Sequence, residues 1–298
     1  MDAVRVRELY RVMPKISEKV WPGWEKTPAP LLLVTKDTEF LTHHPAPPKD
    51  FVKIEDDLYE RPQQFPTELL ATFPAFGPPS VIVIGEPANT SAKTSTPWLI
   101  TLMHEHFHQL QDGQPNIFSA MNDLGLARGD KTGMWMLNYA FPYDDAEVAR
   151  EYSRLRDTLL AALDEKDGKK FQKAARSYVA MRRAFFAKLS NDDAKYLNFQ
   201  MWKEGVARYI QIRCAEEAAK LQPSSEYQKL SDYESFESYG KRARRETLDE
   251  LRKSDLAKSH RVAVYAFGAG EAMLLDRMNP KWRDGYFEHL FTLEPYFQ

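Results

Sequence analysis

The sequence predicts an α+β protein: a small mixed β-sheet and a motif-bearing helix in the N-terminal half, then a predominantly helical C-terminal half. Three observations carry this. Residues 1–95 are Pro-rich and contain two short apolar runs of strand character. Residues 96–112 read as one helix that carries most of the chain's informative side chains. From about residue 145 onward, apolar residues recur at helical spacing, with polar breaks at Asp167-Gly168 and Pro223-Ser224-Ser225. The natural division is at 112/113, giving an α+β lobe over 1–112 and a mainly helical lobe over 113–298.

The elements follow in order. Leu31–Thr35 and Ser80–Gly85 read as strands of one sheet, the second bounded by Pro78-Pro79 and Gly85. Ser80–Gly85 fits an edge strand open to an added peptide, and its near-continuous apolar run fits a buried central strand equally well. The helix that follows is expected to start with Thr96 as N-cap and Pro97 in the first turn, and to stop at Gly113 ahead of Pro115. Met134–Tyr143 is the densest aromatic run and is read as core. Further helices are expected over Ala146–Leu163, Lys169–Leu189, Leu197–Leu221, Tyr227–Lys253 and Leu256–Met278. The pair His43-His44, in a Pro-rich stretch, is read as an exposed loop feature.

Bulk properties narrow the function classes. The chain has 298 residues, a formal net charge of −2, 43% hydrophobic and 28% charged residues. This is ordinary globular composition with no nucleic-acid footprint. The basic stretch Lys241–Arg245 is followed by Glu246, Asp249 and Glu250 and reads as a solvated helix face. A single cysteine, Cys214, excludes an intramolecular disulfide. No apolar run approaches membrane-spanning length, and the first residues lack the apolar core of a signal peptide. The chain therefore reads as soluble, cytoplasmic as it stands, or periplasmic or secreted if a signal peptide has been removed.

The chemistry concentrates in residues 104–108, where His104, Glu105 and His108 form H-E-x-x-H. Histidines four apart on a helix share a face about 6 Å apart along the axis, so both imidazoles can reach one Zn²⁺. The intervening glutamate can hold a metal-bound water and take its proton. With His104 at 0°, His108 falls near 40° and Glu105 near 100°, at roughly 100° per residue. His106 falls near 200°, on the opposite side, as a packed or supporting histidine.

Catalytic zinc sites use three protein ligands and leave one position open. Gln111 and Gln114 stand where an H-E-x-x-H-x-x-G-x-x-H site needs Gly and His. The only later histidines are His260 and His289, which favours a downstream carboxylate. Glu204 is the choice, because it precedes Gly205 and Ala207 in a strongly helical run. A glycine inside a helix costs roughly 1 kcal/mol against alanine and implies a packing or functional reason. The competing reading pairs Glu204 with Arg208 on a solvated face. Asp130, in Arg128-Gly129-Asp130-Lys131, is the main rival for a metal or supporting role.

His104-Glu105-x-x-His108, followed about a hundred residues later by Glu204-Gly205-x-Ala207-x-Tyr209, resembles the gluzincin type of zinc metallopeptidase. The resemblance covers two short helices and implies a zincin-like fold. It implies zinc held by His104, His108 and Glu204, with Glu105 as general base. It also implies a tyrosine in a helix after the glutamate helix that stabilises the oxyanion; Tyr265 is the first candidate and His260 the second. The chain lacks the N-E-x-x-x-x-D and G-A-M-E-N patterns of the best-known members, so endo- and exopeptidase action stay equally open. The expected activity is hydrolysis of a peptide or protein substrate. The alternatives are a zinc hydrolase of non-peptide amides or esters, and a catalytically inactive zincin-fold binding module. An intact Glu105 and the absence of cysteine ligands count against the last.

Overall fold

A computed structural model describes residues 2–298 of the chain. It opens with helix α1 (Asp2–Val20). Six strands follow: β1 (Leu31–Val34), β2 (Thr38–Thr42), β3 (Val52–Glu55), β4 (Leu58–Pro62), β5 (Leu70–Phe73) and β6 (Val81–Gly85). The motif helix is α2 (Ser95–Asp112). Then come α3 (Ile117–Asp123), α4 (Trp135–Asn138), α5 (Ala146–Asp164), α6 (Gly168–Lys188) and α7 (Asn191–Gln200). A π-helical turn, Met201–Gly205, joins α7 to α8 (Val206–Ala218). The last helices are α9 (Ser225–Gln228), α10 (Phe236–Lys253), α11 (Leu256–Ser259) and α12 (Ala263–Met278). The chain is mixed α/β with one open six-stranded sheet, so the coarse sequence expectation holds and the sheet is larger than the two strands anticipated. Among the described residues, no helix is long and apolar enough to cross a membrane.

The chain forms two compact units, one comprising the chain through Pro115 with Ile210–Ala243, the other Asn116–Tyr209 with Arg244–Gln298. In the first unit the strand order is β3-β4-β2-β1-β6-β5, and only β1 and β6 run parallel. Every residue of β1 and β6 is buried, as expected for strands covered on both faces. Leu32, Val34, Val81 and Val83, alternate residues of these strands, join Leu41 and Phe51 in one apolar cluster. Of the two readings of Ser80–Gly85, the structure bears out the buried central strand: β6 is interior and β5 lies at one edge of the sheet.

Helix α2 packs on β5 and β6 and is fixed by a hydrogen bond near each end. The Trp98 indole donates to the Gly85 carbonyl at 2.9 Å. The Gln109 amide donates to the carbonyls of Pro30 and Ser80, both at 2.9 Å. The helix begins two residues earlier than expected, with Thr94 rather than Thr96 as N-cap. The Thr96 hydroxyl instead donates to the Glu234 carbonyl at 2.6 Å. Asp232 accepts from Arg5 at 2.8 Å and from Ser95 at 2.6 Å, so the returning segment is tied to α1 and α2. Gly113 is the C-cap, as read, but with right-handed φ.

Helix α1 was not anticipated, because Pro14 lies in its middle. An interior proline costs about 3 kcal/mol. Leu9, Val12, Met13, Ile16 and Val20 are buried on one face, and each contributes about 1.5–3 kcal/mol, so burial outweighs the break. The exposed-loop reading of His43-His44 holds for His43 alone. His44 is buried, which lowers its pKa, and His43 stacks on Tyr10 with centroids 4.0 Å apart.

In the second unit α5 packs on α6 and α12, and the π-turn packs on α12. Two expected helices are interrupted: α9 and α10 by residues 229–235, and α11 and α12 by the 3₁₀ turn His260–Val262. The crossing of the π-turn over α12 is backbone on backbone. A Cβ added to Gly205 would stand 2.5 Å from Gly268 Cα, and one added to Gly268 would stand 2.6 Å from Gly205 Cα. Trp202 stacks on Tyr286 with centroids 4.6 Å apart and rings 5° from parallel. Nearby, buried Glu271 accepts from buried Arg182 at 2.6 Å and from Tyr178.

Gly268→Ala is therefore expected to destabilise by about 1–3 kcal/mol or more, the usual cost of overpacking. Gly168→Ala, where an added Cβ meets nothing within 4 Å, is expected to change stability by under about 1 kcal/mol. Denaturant unfolding of the two variants checks both.

Candidate metal centre

The motif helix presents His104, Glu105 and His108 as buried side chains, at 6%, 4% and 5% relative exposure. His108 Nδ1 lies 2.7 Å from Gln111 Oε1. An amide oxygen only accepts, so Nδ1 carries the proton and Nε2 keeps its lone pair. That Nε2 lies 3.1 Å from His104 Nε2. Two nitrogens bound tetrahedrally at about 2.0–2.1 Å from one zinc are about 3.3 Å apart. The imidazole pair thus already has nearly the spacing that one metal ion would impose.

Glu204 joins them. His104, His108 and Glu204 each offer one ligand atom, and these atoms all lie within 4.8 Å of one another. Glu204 sits in the π-turn, whose wider backbone loop re-aims the side chains it carries. Gly205, beside it, is the residue that the backbone crossing requires. Arg208, the partner in the rival reading of Glu204, pairs with Glu250 at 2.8 Å. Two imidazoles and a carboxylate form a fitting donor set for a divalent transition metal.

His106 lies on the opposite face, as its helical angle required. Its ring stacks on Trp24 with centroids 5.2 Å apart, and Nδ1 lies 2.9 Å from Gln109 Oε1. Burial pushes its pKa down to about 4, so it stays neutral as a packing group. Glu105 is held by a contact that the sequence did not reveal. The Thr72 hydroxyl of β5 lies 2.8 Å from Glu105 Oε2 and 3.1 Å from the Glu105 carbonyl. Only the strand order, which brings β5 beside α2, could have pointed to Thr72.

The remaining candidates are placed as follows. Asp130 works as a turn residue: Oδ1 accepts from the Thr132 amide at 2.7 Å and Oδ2 from the Trp135 amide at 2.7 Å. These bonds, with the Thr132 hydroxyl foremost, hold its carboxyl below the usual range. His260 is about half exposed, stacks on Tyr143 and reaches Asp144 at 3.3 Å. Tyr265 is partly buried and accepts from Arg261 Nη1 at 3.0 Å. Arg261, which the sequence reading passed over, stands four residues before Tyr265 on the same helical face. Neither a protein-family model, nor a curated protein, nor a solved structure matches this chain.

Two kinds of outcome are expected, the first in metal binding. Glu204→Ala should lose the metal bound by the wild type, and Gln111→Leu should weaken it by about 10- to 100-fold through loss of the histidine's orienting partner. Metal analysis and competition with a chelator read both. The second outcome concerns acid. His106 is neutral when folded down to about pH 4, whereas the unfolded chain protonates it near pH 6.5. The unfolded state therefore binds more protons between these values, and stability falls as pH drops from about 6.5 towards 4. In metal-free protein, His106→Leu should show a shallower loss over that window in thermal unfolding.

Proposed function

We propose that this protein is a zinc-dependent metallopeptidase with a zincin-like arrangement, in which His104, His108 and Glu204 hold the metal. The observation that carries the reading is the meeting of that triad with a buried carboxylate, Glu105, on the same helix as two of its members. A two-histidine, one-carboxylate set also suits ferrous iron. Zinc is favoured because a hydrolase needs a general base beside the metal, which oxidative chemistry does not require. When bound, zinc supplies Lewis acidity towards water and the scissile carbonyl.

The chain's own residues supply the rest. Glu105 accepts a proton from the attacking water as the new C–O bond forms, and delivers it to the amine nitrogen as the C–N bond breaks. The Thr72 hydroxyl, bonded to Oε2 at 2.8 Å, would hold the Glu105 carboxylate in orientation for the proton transfer. Tyr265 is the first candidate for the donor to the developing oxyanion, with His260 as the second. Strand β5 is the edge of the sheet and lies against the motif helix. An extended peptide can add to its open side through main-chain hydrogen bonds.

Glu105→Gln is expected to lower kcat by three orders of magnitude or more while the metal content stays at the wild-type level. Undiminished hydrolysis of a casein or peptide-library substrate by this variant would sink the mechanism. Thr72→Val should lower kcat by about tenfold and Thr72→Ser should restore it, in steady-state kinetics at constant metal loading.

A further inference from the structure

The second unit carries a cation at the level of Glu204 that the proposed chemistry leaves without a role. Arg261 lies in the 3₁₀ turn that leads into α12. It is half-buried between an exposed His260 and an exposed Val262. Among the described residues its one hydrogen bond goes to the Tyr265 hydroxyl, and no carboxylate comes within salt-bridge distance. Its guanidinium carbon stands 5.4 Å from the centre of the Tyr265 ring.

The backbone crossing sets the height of this group. An added Cβ on Gly205 would meet the Val264 carbonyl at 3.3 Å, so the first turn of α12 abuts the residue next to Glu204. Tyrosine hydroxyls complete the surroundings. Tyr143 and Tyr196 are joined hydroxyl to hydroxyl at 3.4 Å, and both feel the Arg261 charge. Burial works against that charge, but the oxygens of Tyr265 and Glu204 outweigh it and raise the Arg261 pKa above the ordinary arginine value.

A half-buried guanidinium with one donor engaged and several N–H groups in a fixed fork matches a carboxylate better than any neutral group. The exposed carboxylates of a solvated surface would ordinarily neutralise such an arginine; here tyrosine hydroxyls, themselves donors, surround it instead. We infer that Arg261, oriented by its bond to Tyr265, forms an anion subsite that recognises a carboxylate of the substrate close to the bond being cut. The inference rests on the peptidase reading and narrows its substrate class to peptides that carry a negative charge beside that bond. The charge can come from a free chain terminus or from an acidic side chain.

The test is calorimetric binding to the zinc-loaded Glu105→Gln protein, which leaves peptides uncut. Three probes are compared: acetyl-Ala-Ala-Phe as the free acid, the same peptide as its amide, and acetyl-Ala-Ala-Glu amide. Acetohydroxamate, a ligand for an open metal position, is titrated alongside. A carboxylate-bearing probe should bind at least tenfold tighter than the Phe amide, and adding Arg261→Gln should erase that difference. Preference for the free acid identifies the terminus as the source, and preference for the Glu amide identifies the side chain. Arg261→Lys, which keeps the charge and loses the fork, should retain part of the preference and shows that the arginine is not merely structural. Equal binding of all three probes, or a preference that survives Arg261→Gln, overturns the subsite. Loss of acetohydroxamate binding alone would overturn the open metal site while leaving the carboxylate preference to be read by itself.

Discussion

The backbone crossing of Gly205 and Gly268 is the constraint on which the candidate centre depends. Two helices meet there at a separation that leaves no room for a single Cβ on either side. That contact holds the π-turn against α12, and the π-turn is what carries Glu204. A π-turn is rarely stable without tertiary support. Here Trp202, a fully buried member of the turn, stacks on Tyr286. The backbone position of Glu204 is thus set by main-chain geometry and by packing.

The first unit solves the corresponding problem with hydrogen bonds. Helix α2 is buried over most of its length, so its position cannot be fixed by a polar outer face. Gln109 and Trp98 fix it by bonding carbonyls at opposite ends of the adjoining strands. All three bonds are buried, where loss of a partner costs about 1–3 kcal/mol. The histidine pair and Glu105 therefore inherit their placement from the sheet.

Local chemistry was the part of this structure that could be read from the residues. His104, Glu105 and His108 declared their shared face by spacing alone, and His106 its opposite face by the same arithmetic. Glu204 was found through the small residues beside it, of which Gly205 proves to be the one that matters. Non-local facts were not legible. Strands β2, β4 and β5 are only partly buried and β3 is exposed throughout, so they lack the apolar runs that marked β1 and β6. Which strand forms the edge is a property of sheet order, and Ser80–Gly85 was left open between edge and centre for that reason. Helix α1 was hidden by Pro14, although the spacing of Leu9, Val12, Met13 and Ile16 was visible. Thr72 and Arg261 became visible only once strand order and helix crossing were known.

The chain visits its first unit twice, because Ile210–Ala243 returns after a long excursion through the second. The returning segment is bound by the Asp232 and Glu234 contacts to Arg5, Ser95 and Thr96. A nascent chain released only as far as Asp112 has made the complete motif helix but not the segment that secures its first turn. The two histidines therefore emerge from synthesis well before the first turn of their helix is tied down, and closure over such long sequence separations is intrinsically slow. The order of manufacture leaves that end of the motif helix to be secured late.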